Sequence, residues 1–235
     1  MKVIILCGGL GTRLAEETKT KPKPMVKIGN IPILTHLIKY YNSYGYKEFI
    51  LATGYKSKII KDYYKKKKIN NSNIKVIYTG KNTLTGGRIL RLKKYIEDEV
   101  FLVTYGDGLS NVNLKELVNF HIKKKSIVTL TAVRPTIRFG EIKFSKSSKI
   151  FSYKEKPQAT KNWINGGFFV MTNKIFDFIK NDFTVLEKGP LEKIAKKGKL
   201  FAFKHNDFWQ CMDTMRDKIL LNKLWNNGLA KWKRW

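Results

Sequence analysis

The 235-residue sequence predicts a three-layer, Rossmann-like α/β fold with a mainly parallel central sheet and a small added β region in its second half. Three observations carry that expectation. Short β-branched apolar runs alternate with stretches of helical periodicity from residue 3 to residue 133, the pattern of parallel βαβ units. The first run, Val3-Ile4-Ile5-Leu6-Cys7, is apolar without alternation, as a strand buried on both faces must be. The second half loses this regularity and reads as hairpins, short helices and isolated strands. No internal repeat, low-complexity segment or linker interrupts the chain, so residues 1–235 read as one domain.

Taken in order, the first strand breaks into the loop Gly8-Gly9-Leu10-Gly11-Thr12-Arg13. Pro32 then precedes Ile33, Leu34, Leu37, Ile38 and Tyr41 at helical spacing, and Gly45 closes that helix. Residues 48–53 form the second strand. A helix through Ile59, Ile60, Tyr63 and Tyr64 runs into four lysines and an asparagine-rich loop tip at residues 70–73. Residues 74–78 form a third strand, and residues 83–88 open a helix whose apolar face is Ile89, Leu92 and Ile96. The fourth strand, residues 100–104, ends in Tyr105-Gly106-Asp107-Gly108. A helix around residues 114–122 and a strand at 127–133 complete the regular half. Beyond it lie a hairpin at 141–144 and 150–154, a turn at 163–167, and a strand at 168–171. Short helices near 175–179 and 191–195, a strand at 200–203 and a final helix at 216–225 follow.

The net charge of +29 invites a nucleic-acid reading, but it is built from 40 lysines against 7 arginines. The lysines are spread over nearly every helix rather than gathered into an arginine-rich face with interleaved aromatics, so a solvated surface is expected and no nucleic-acid partner. No apolar stretch is long enough to span a membrane. The basic-aromatic end Lys231-Trp232-Lys233-Arg234-Trp235 has the composition of an interfacial anchor but is too short to act alone, and is expected to pack against the body or a partner subunit. Two cysteines make no disulfide framework, and the cytoplasm is the default compartment.

Chemistry-bearing residues collect at the carboxyl ends of the expected strands, where ligands of such sheets bind. Glycines 8, 9 and 11 let backbone N–H groups approach a phosphate without a Cβ in the way. Arg13 offers a fork of donors suited to phosphate oxygens, and Lys23 is held between Pro22 and Pro24 on a stiff, extended segment. Two commoner glycine motifs are excluded. Gly11-Thr12-Arg13 lacks the Lys-Ser/Thr end of a Walker A loop. Leu14 stands where a dinucleotide fingerprint needs a small residue, and Ala52-Thr53-Gly54 lacks the acid that should close the second strand. Asp107, between two glycines, reads as a turn residue or a metal ligand; Asp213 reads as a helix cap or a ligand. As a pair they have the make-up of a Mg²⁺ site that binds through two carboxylates and substrate phosphates. A glycine loop, cations and metal carboxylates are what nucleotidyl transfer needs, since it rests on in-line placement and charge neutralisation. His36, His121 and His205 are scattered, and no Ser/His/Asp triad or Cys/His metal cluster is evident.

These motifs resemble those of the sugar-1-phosphate nucleotidyltransferases, G-G-x-G-T-R-L followed by K-P-K-P-M. Glu16-Glu17-Thr18, T-L-T-G-G-R from Thr83, T-Y-G-D-G from Thr104, R-F-G from Arg138, E-K-P from Glu155, W-I-N-G-G-F-F-V from Trp163, F-W-Q-C-M-D-T-M-R-D-K from Phe208 and a W-K-x-W end make the whole chain similar to the glucose-1-phosphate cytidylyltransferase branch. The resemblance implies the nucleotidyltransferase form of the fold, CTP and α-D-glucose 1-phosphate as substrates, CDP-glucose and pyrophosphate as products, and Mg²⁺ as cofactor. It implies that Leu6, Gly8, Gly9, Leu10 and Gly11 wrap the nucleotide and that Thr12 and Arg13 hold the triphosphate. Arg13 would also stabilise the departing pyrophosphate, and Lys23 would bridge the reacting phosphates. Thr83, Arg88 and Asp107 would add nucleotide contacts, with Asp107 and Asp213 as the metal ligands. Glu155, Lys156, Asn165 and Gly166 would receive the sugar phosphate, Lys156 neutralising it, so that Arg13, Lys23, Asp107 and Lys156 form the catalytic set. It further implies a homo-oligomer whose product feeds dideoxysugar synthesis for surface polysaccharide such as O-antigen.

Two departures stand out. Residues 65–73 replace a longer family segment with a short basic loop, which bears on assembly and base choice, and Cys7 stands where alanine is usual, a reagent-sensitive thiol if it is exposed. The alternatives are another base or sugar 1-phosphate, or a non-catalytic basic binding protein.

Overall fold

A computed structural model describes residues 1–69, 71–135, 140–154 and 162–235. In chain order, β1 (Lys2–Cys7) leads through the short α1 (Ala15–Thr18) to the pair β2 (Lys27–Ile28) and β3 (Ile31–Pro32), then α2 (Ile33–Asn42), β4 (Glu48–Thr53), α3 (Ser57–Lys66) and β5 (Asn73–Tyr78). Next come α4 (Thr85–Arg91), β6 (Val100–Tyr105), β7 (Gly108–Ser110), α5 (Leu114–Lys124) and β8 (Val128–Val133). The second half holds the hairpin β9 (Glu141–Phe144) and β10 (Ile150–Lys154), then β11 (Ile164–Thr172), α6 (Pro190–Lys196), β12 (Leu200–His205), β13 (Trp209–Cys211) and α7 (Met215–Asn226).

Seven strands form one sheet in the order β12-β8-β11-β6-β1-β4-β5, with small antiparallel pairs β9–β10, β7–β13 and β2–β3 beside it. β1 runs parallel to β4 and β6, and β4 parallel to β5. β11 alone is inserted antiparallel, between β6 and β8. The sheet is mostly parallel, as the sequence predicts. The unbroken apolar run of β1 has a direct cause: alternate side chains point to opposite faces and both faces are covered. Val3, Ile5 and Cys7 join Leu34, Leu37 and Ile38 of α2 in one core, while Ile4 and Leu6 join Ile89, Leu92 and Phe176 in another.

Three expected boundaries shift. The predicted turn at residues 163–167 is mostly strand: β11 begins at Ile164, and its register against β8 slips between Asn165 and Phe169. Gly167 sits at φ +78°, and a Cβ there would lie 2.3 Å from the Tyr105 ring, so the glycine pair serves a bulge rather than a turn. The helix expected to reach Ile96 ends at Arg91 and passes into a 3₁₀ turn, Lys93–Tyr95, leaving Ile96 buried just beyond it. The short helix near residues 175–179 is a 3₁₀ segment, Asn173–Phe178. In the last helix, Thr214 rather than Asp213 is the cap: the Thr214 hydroxyl accepts from Asp217 N–H at 3.3 Å, and the Asp217 carboxylate accepts from Thr214 N–H at 2.8 Å. Asp213 is thereby left for other work.

The chain's end packs onto the body. Trp232 is fully buried, and its indole N–H donates to His36 Nδ1 at 3.1 Å. His36 Nε2 then carries the proton and donates to the Ile28 carbonyl at 2.9 Å. Burial pushes His36 and His121 down to about 4. The sign follows: a histidine depressed below its ordinary value of about 6.5 contributes stability that is present above that value and is lost as pH falls toward its native value. The urea midpoint is therefore expected to drop between about pH 6.5 and pH 4, and to drop less in a His36→Gln, His121→Gln double variant. A wild-type midpoint flat across that window would contradict burial of the two neutral rings.

Candidate active site

At the end of β1 the chain turns through Gly8, and the turn is braced from below by a buried cation. Arg88, on α4, is 5% exposed. Its guanidinium donates to the carbonyls of Thr53 (3.2 Å), Gly80 (2.7 Å) and Gly8 (3.1 Å) and to the Thr79 hydroxyl (2.8 Å), so it clamps the carboxyl ends of β1, β4 and β5 together. A Cβ on Gly8 would stand 2.0 Å from the Arg88 Cζ, which is why residue 8 is glycine. Gly11 adopts φ +69°, and its carbonyl accepts the Thr18 hydroxyl at 3.1 Å. Gly9 has no neighbour within 4 Å of its Cβ position. Glu17 carries the loop's exit to α7 by pairing with Lys21 at 2.9 Å and with Lys218.

Across from the loop, Lys23 opens a 3₁₀ turn, Lys23–Met25, in place of the extended segment expected; Pro22 stands just before the turn and Pro24 inside it, and the Lys23 side chain is aimed at two carboxylates. Its Nζ donates to Asp107 Oδ2 at 2.6 Å and to Asp213 Oδ1, while Arg13 Nη1 donates to Asp213 Oδ2 at 2.7 Å. Asp107 follows β6 and Asp213 follows β13. The β7–β13 ladder, with Cys211 opposite Gly108 and Met212 N–H donating to the Asp107 carbonyl at 2.8 Å, brings them together. Burial works against the Lys23 charge, yet Asp107 and Asp213 raise its pKa above the ordinary lysine value. Burial likewise opposes the Asp213 carboxylate, and Lys23 and Arg13 pull its pKa below the ordinary range.

Two carboxylates within reach of one ammonium are close enough to share a single cation. Both offer hard oxygen donors, and no set of three His, Cys, Asp or Glu side chains converges among the described residues. That donor set fits a hydrated Mg²⁺ completed by phosphate oxygens, and is too sparse for a metal caged by protein alone.

Loop, cations and carboxylates wall a cleft of about 530 Å³. Of the nucleotide and metal residues that the sequence suggests, Leu6, Gly8, Gly9, Gly11, Thr12, Arg13, Lys23, Thr83, Arg88, Asp107 and Asp213 line it. Leu10 does not; it is half exposed. Arg88 reaches the cleft wall with its two terminal nitrogens already engaged by the Gly8 carbonyl of the loop and by Thr53, Thr79 and Gly80 behind it, so here it shapes the loop. Asn165 and Gly166 adjoin the cleft through β11: Asn165 Nδ2 donates to the Tyr105 hydroxyl at 3.5 Å, and Trp209 Nε1 donates to the Gly166 carbonyl at 2.8 Å. Glu155 and Lys156 lie outside the described residues.

Cys7 is 1% exposed, and burial, then Asp107, push its thiol far above the ordinary range, so a reagent-sensitive thiol at this position is corrected to a core residue. Sequence reasoning missed Leu84, Thr85 and Cys211 as lining residues and gave no role to Tyr105 or Trp209. Tyr105, Trp209 and Cys211 stand two to four residues from Asp107 or Asp213 on the strands that carry them, which was the available signal.

A sheet with a glycine loop at the end of β1 and a lysine between paired carboxylates defines a class. The chain belongs to the nucleotidyl transferase family, which matches residues 2–214. Within it, the chain is similar to the glucose-1-phosphate cytidylyltransferase of Salmonella typhimurium, 43% identical over 257 aligned positions covering 100% of both chains. It is 40% identical to the probable glucose-1-phosphate cytidylyltransferase of Bacillus subtilis, again over 100% of both. The 257 aligned positions exceed this chain's 235 residues, so the relatives carry residues that this chain lacks. The crystal structure of HddC from Yersinia pseudotuberculosis matches with a TM-score of 0.78 at 28% identity, covering 95% of this chain and 99% of that one. HddC complexed with GMP-PN matches at 0.76 and 27%.

The contact between Gly8 and Arg88 yields a test. In a double-mutant cycle of Gly8→Ala and Arg88→Ala read by urea unfolding, the methyl should cost much less once the guanidinium is gone, giving a coupling of about 1–3 kcal/mol. Additivity to within about 0.5 kcal/mol would contradict the brace.

Proposed function

We propose that this chain transfers the cytidylyl group of CTP to α-D-glucose 1-phosphate, giving CDP-glucose and pyrophosphate. The observation that carries the reading is the ammonium of Lys23 set between Asp107 and Asp213 beneath a glycine-walled cleft, in a chain so similar to glucose-1-phosphate cytidylyltransferases.

In this reading Gly8, Gly9 and Gly11 offer backbone N–H groups to the triphosphate, and Leu6 and Thr83 flank the nucleoside. Arg13 and Lys23 swing from the carboxylates to the phosphates, as two cations held only by ion pairs can do. Arg13 neutralises the charge that gathers on pyrophosphate as it leaves, and Lys23 spans the phosphate that is attacked and the one that attacks. Asp107 and Asp213 hold Mg²⁺, which when bound supplies the charge neutralisation that phosphate esters require. Asn165 and Gly166 receive the sugar phosphate together with Glu155 and Lys156, whose ammonium neutralises the attacking oxygen. The sugar-phosphate oxygen bonds to the α-phosphorus as the bond to pyrophosphate breaks on the opposite side.

The reading extends to a single-domain, cytoplasmic homo-oligomer whose product supplies dideoxysugar synthesis for surface polysaccharide. A second reading, GTP in place of CTP, is favoured by the likeness to HddC, solved in complex with GMP-PN.

The experiment is pyrophosphate release with Mg²⁺ across CTP, dTTP, UTP, ATP and GTP and several sugar 1-phosphates. Release is expected with CTP and glucose 1-phosphate, and Asp107→Asn and Asp213→Asn are each expected to cut it at least about 100-fold with the thermal transition retained. Near-normal rates in both variants would remove the metal assignment, and release with GTP alone would move the base.

A further inference from the structure

The cleft holds a second polar group that the motifs leave unexplained. Tyr105, the last residue of β6, and Thr85, the first of α4, both line it. Behind them each donates its hydroxyl proton to one oxygen of Glu187, Tyr105 to Oε1 and Thr85 to Oε2 at 2.7 Å. Thr85 is fixed in turn by the Leu186 N–H, which it accepts at 2.9 Å. On the other side, Asn165 Nδ2 approaches the Tyr105 oxygen at 3.5 Å, and Asn165 is oriented by the Gly167 N–H donating to its Oδ1 at 3.0 Å. The Tyr105 ring is wedged: it lies against Gly167 and edge-on to Phe169 at 5.7 Å.

The direction of these bonds is what matters. A carboxylate accepts and does not donate, so the Tyr105 proton is turned toward Glu187, and beside the long contact from Asn165 Nδ2 the oxygen keeps acceptor capacity for an incoming donor. Among the described residues no lysine or arginine pairs with Glu187, although the chain's net charge is +29. The carboxylate is satisfied by hydroxyls alone. It orders them without adding a cation that would compete for phosphate.

We infer that Glu187 is a positioning residue for the acceptor sugar. Through Tyr105, with Thr85 as its second anchor, it presents an oriented acceptor to one hydroxyl of the hexose ring and so helps set which sugar 1-phosphate is used. The inference rests on the sugar-phosphate reading given above. The sugar rather than the nucleotide is indicated because the relay ends on Asn165, next to Gly166 on β11, on the sugar-phosphate side of the cleft. An oriented polar group in a cleft wall discriminates strongly, because the wrong ligand leaves it unpaired.

The test measures kcat and KM for wild type, Tyr105→Phe and Glu187→Gln, with CTP and a series of monodeoxyfluoro glucose 1-phosphates. Fluorine replaces one hydroxyl at a time and cannot donate. Wild-type turnover of CTP with glucose 1-phosphate itself tests the proposed function; its absence would end that reading and this one with it. Given turnover, one fluorinated position is expected to lose at least about tenfold in kcat/KM in wild type, and that loss to shrink to about threefold or less in both variants. KM for CTP is expected to stay within about twofold in both variants, as befits a group that does not touch the nucleotide. Glu187→Gln acts because its amide N–H₂ can turn the Tyr105 proton outward. A wild type indifferent to every fluorine, variants that keep the discrimination, or an equal rise in KM for CTP would overturn the inference while leaving the proposed function standing. Loss of the folding transition in both variants would overturn it too, by making the pair structural.

Discussion

The ammonium of Lys23 between Asp107 and Asp213 is the interaction on which the rest of this molecule is arranged. At an effective dielectric of about 20, two unit charges about 4 Å apart interact by about 4 kcal/mol, so two neighbouring carboxylates hold together only with a cation between them. All three side chains are more than two-thirds buried, so solvent screens the cluster only in part. Several local features serve this one contact. Pro22 and Pro24 stiffen the segment that presents Lys23. The β7–β13 ladder brings Asp213 to Asp107, and the Thr214 cap leaves Asp213 free of the helix it precedes. Arg13 then shares Asp213, so the site sets two cations against two carboxylates.

The opposite wall is fixed by a cation of another kind. Among the described residues Arg88 has no carboxylate partner; backbone carbonyls and the Thr79 hydroxyl take its terminal donors, so its charge is spent on the shape of the glycine loop and the strand ends beside it. Such a loop is organised before a ligand arrives, which is where electrostatic stabilisation of phosphoryl chemistry gets most of its strength. The site therefore divides its positive charge between a structural guanidinium beneath the loop and two cations held by ion pairs, the buried Lys23 and the exposed Arg13.

Much of this was legible in the sequence because it is local. A run buried on both faces shows as an apolar run without alternation, as in β1. A loop with positive φ and no room for Cβ shows as glycine, as at Gly8 and Gly11. What remained hidden depends on chain segments far apart. Asp213 read equally as a cap or a ligand because the β7–β13 pairing that decides it joins strands about a hundred residues apart. The Gly166-Gly167 pair read as a turn because glycine pairs usually are turns, and only the neighbouring Tyr105 ring makes this one a bulge. Cys7 read as a possible reactive thiol because its burial is set by the opposing core. Glu187 carried no signal at all: its partners, Tyr105 and Thr85, are about eighty and a hundred residues away.

The measurement that tests this account most directly is Mn²⁺ binding without nucleotide, read by electron paramagnetic resonance for wild type and Lys23→Met. If the ammonium holds the place between the carboxylates that a divalent cation takes, removing it should tighten Mn²⁺ binding by at least about tenfold, a modest gain for deleting a competing unit charge. Equal or weaker binding by the variant would contradict the shared place, and with it the reading of Asp107 and Asp213 as one cation site.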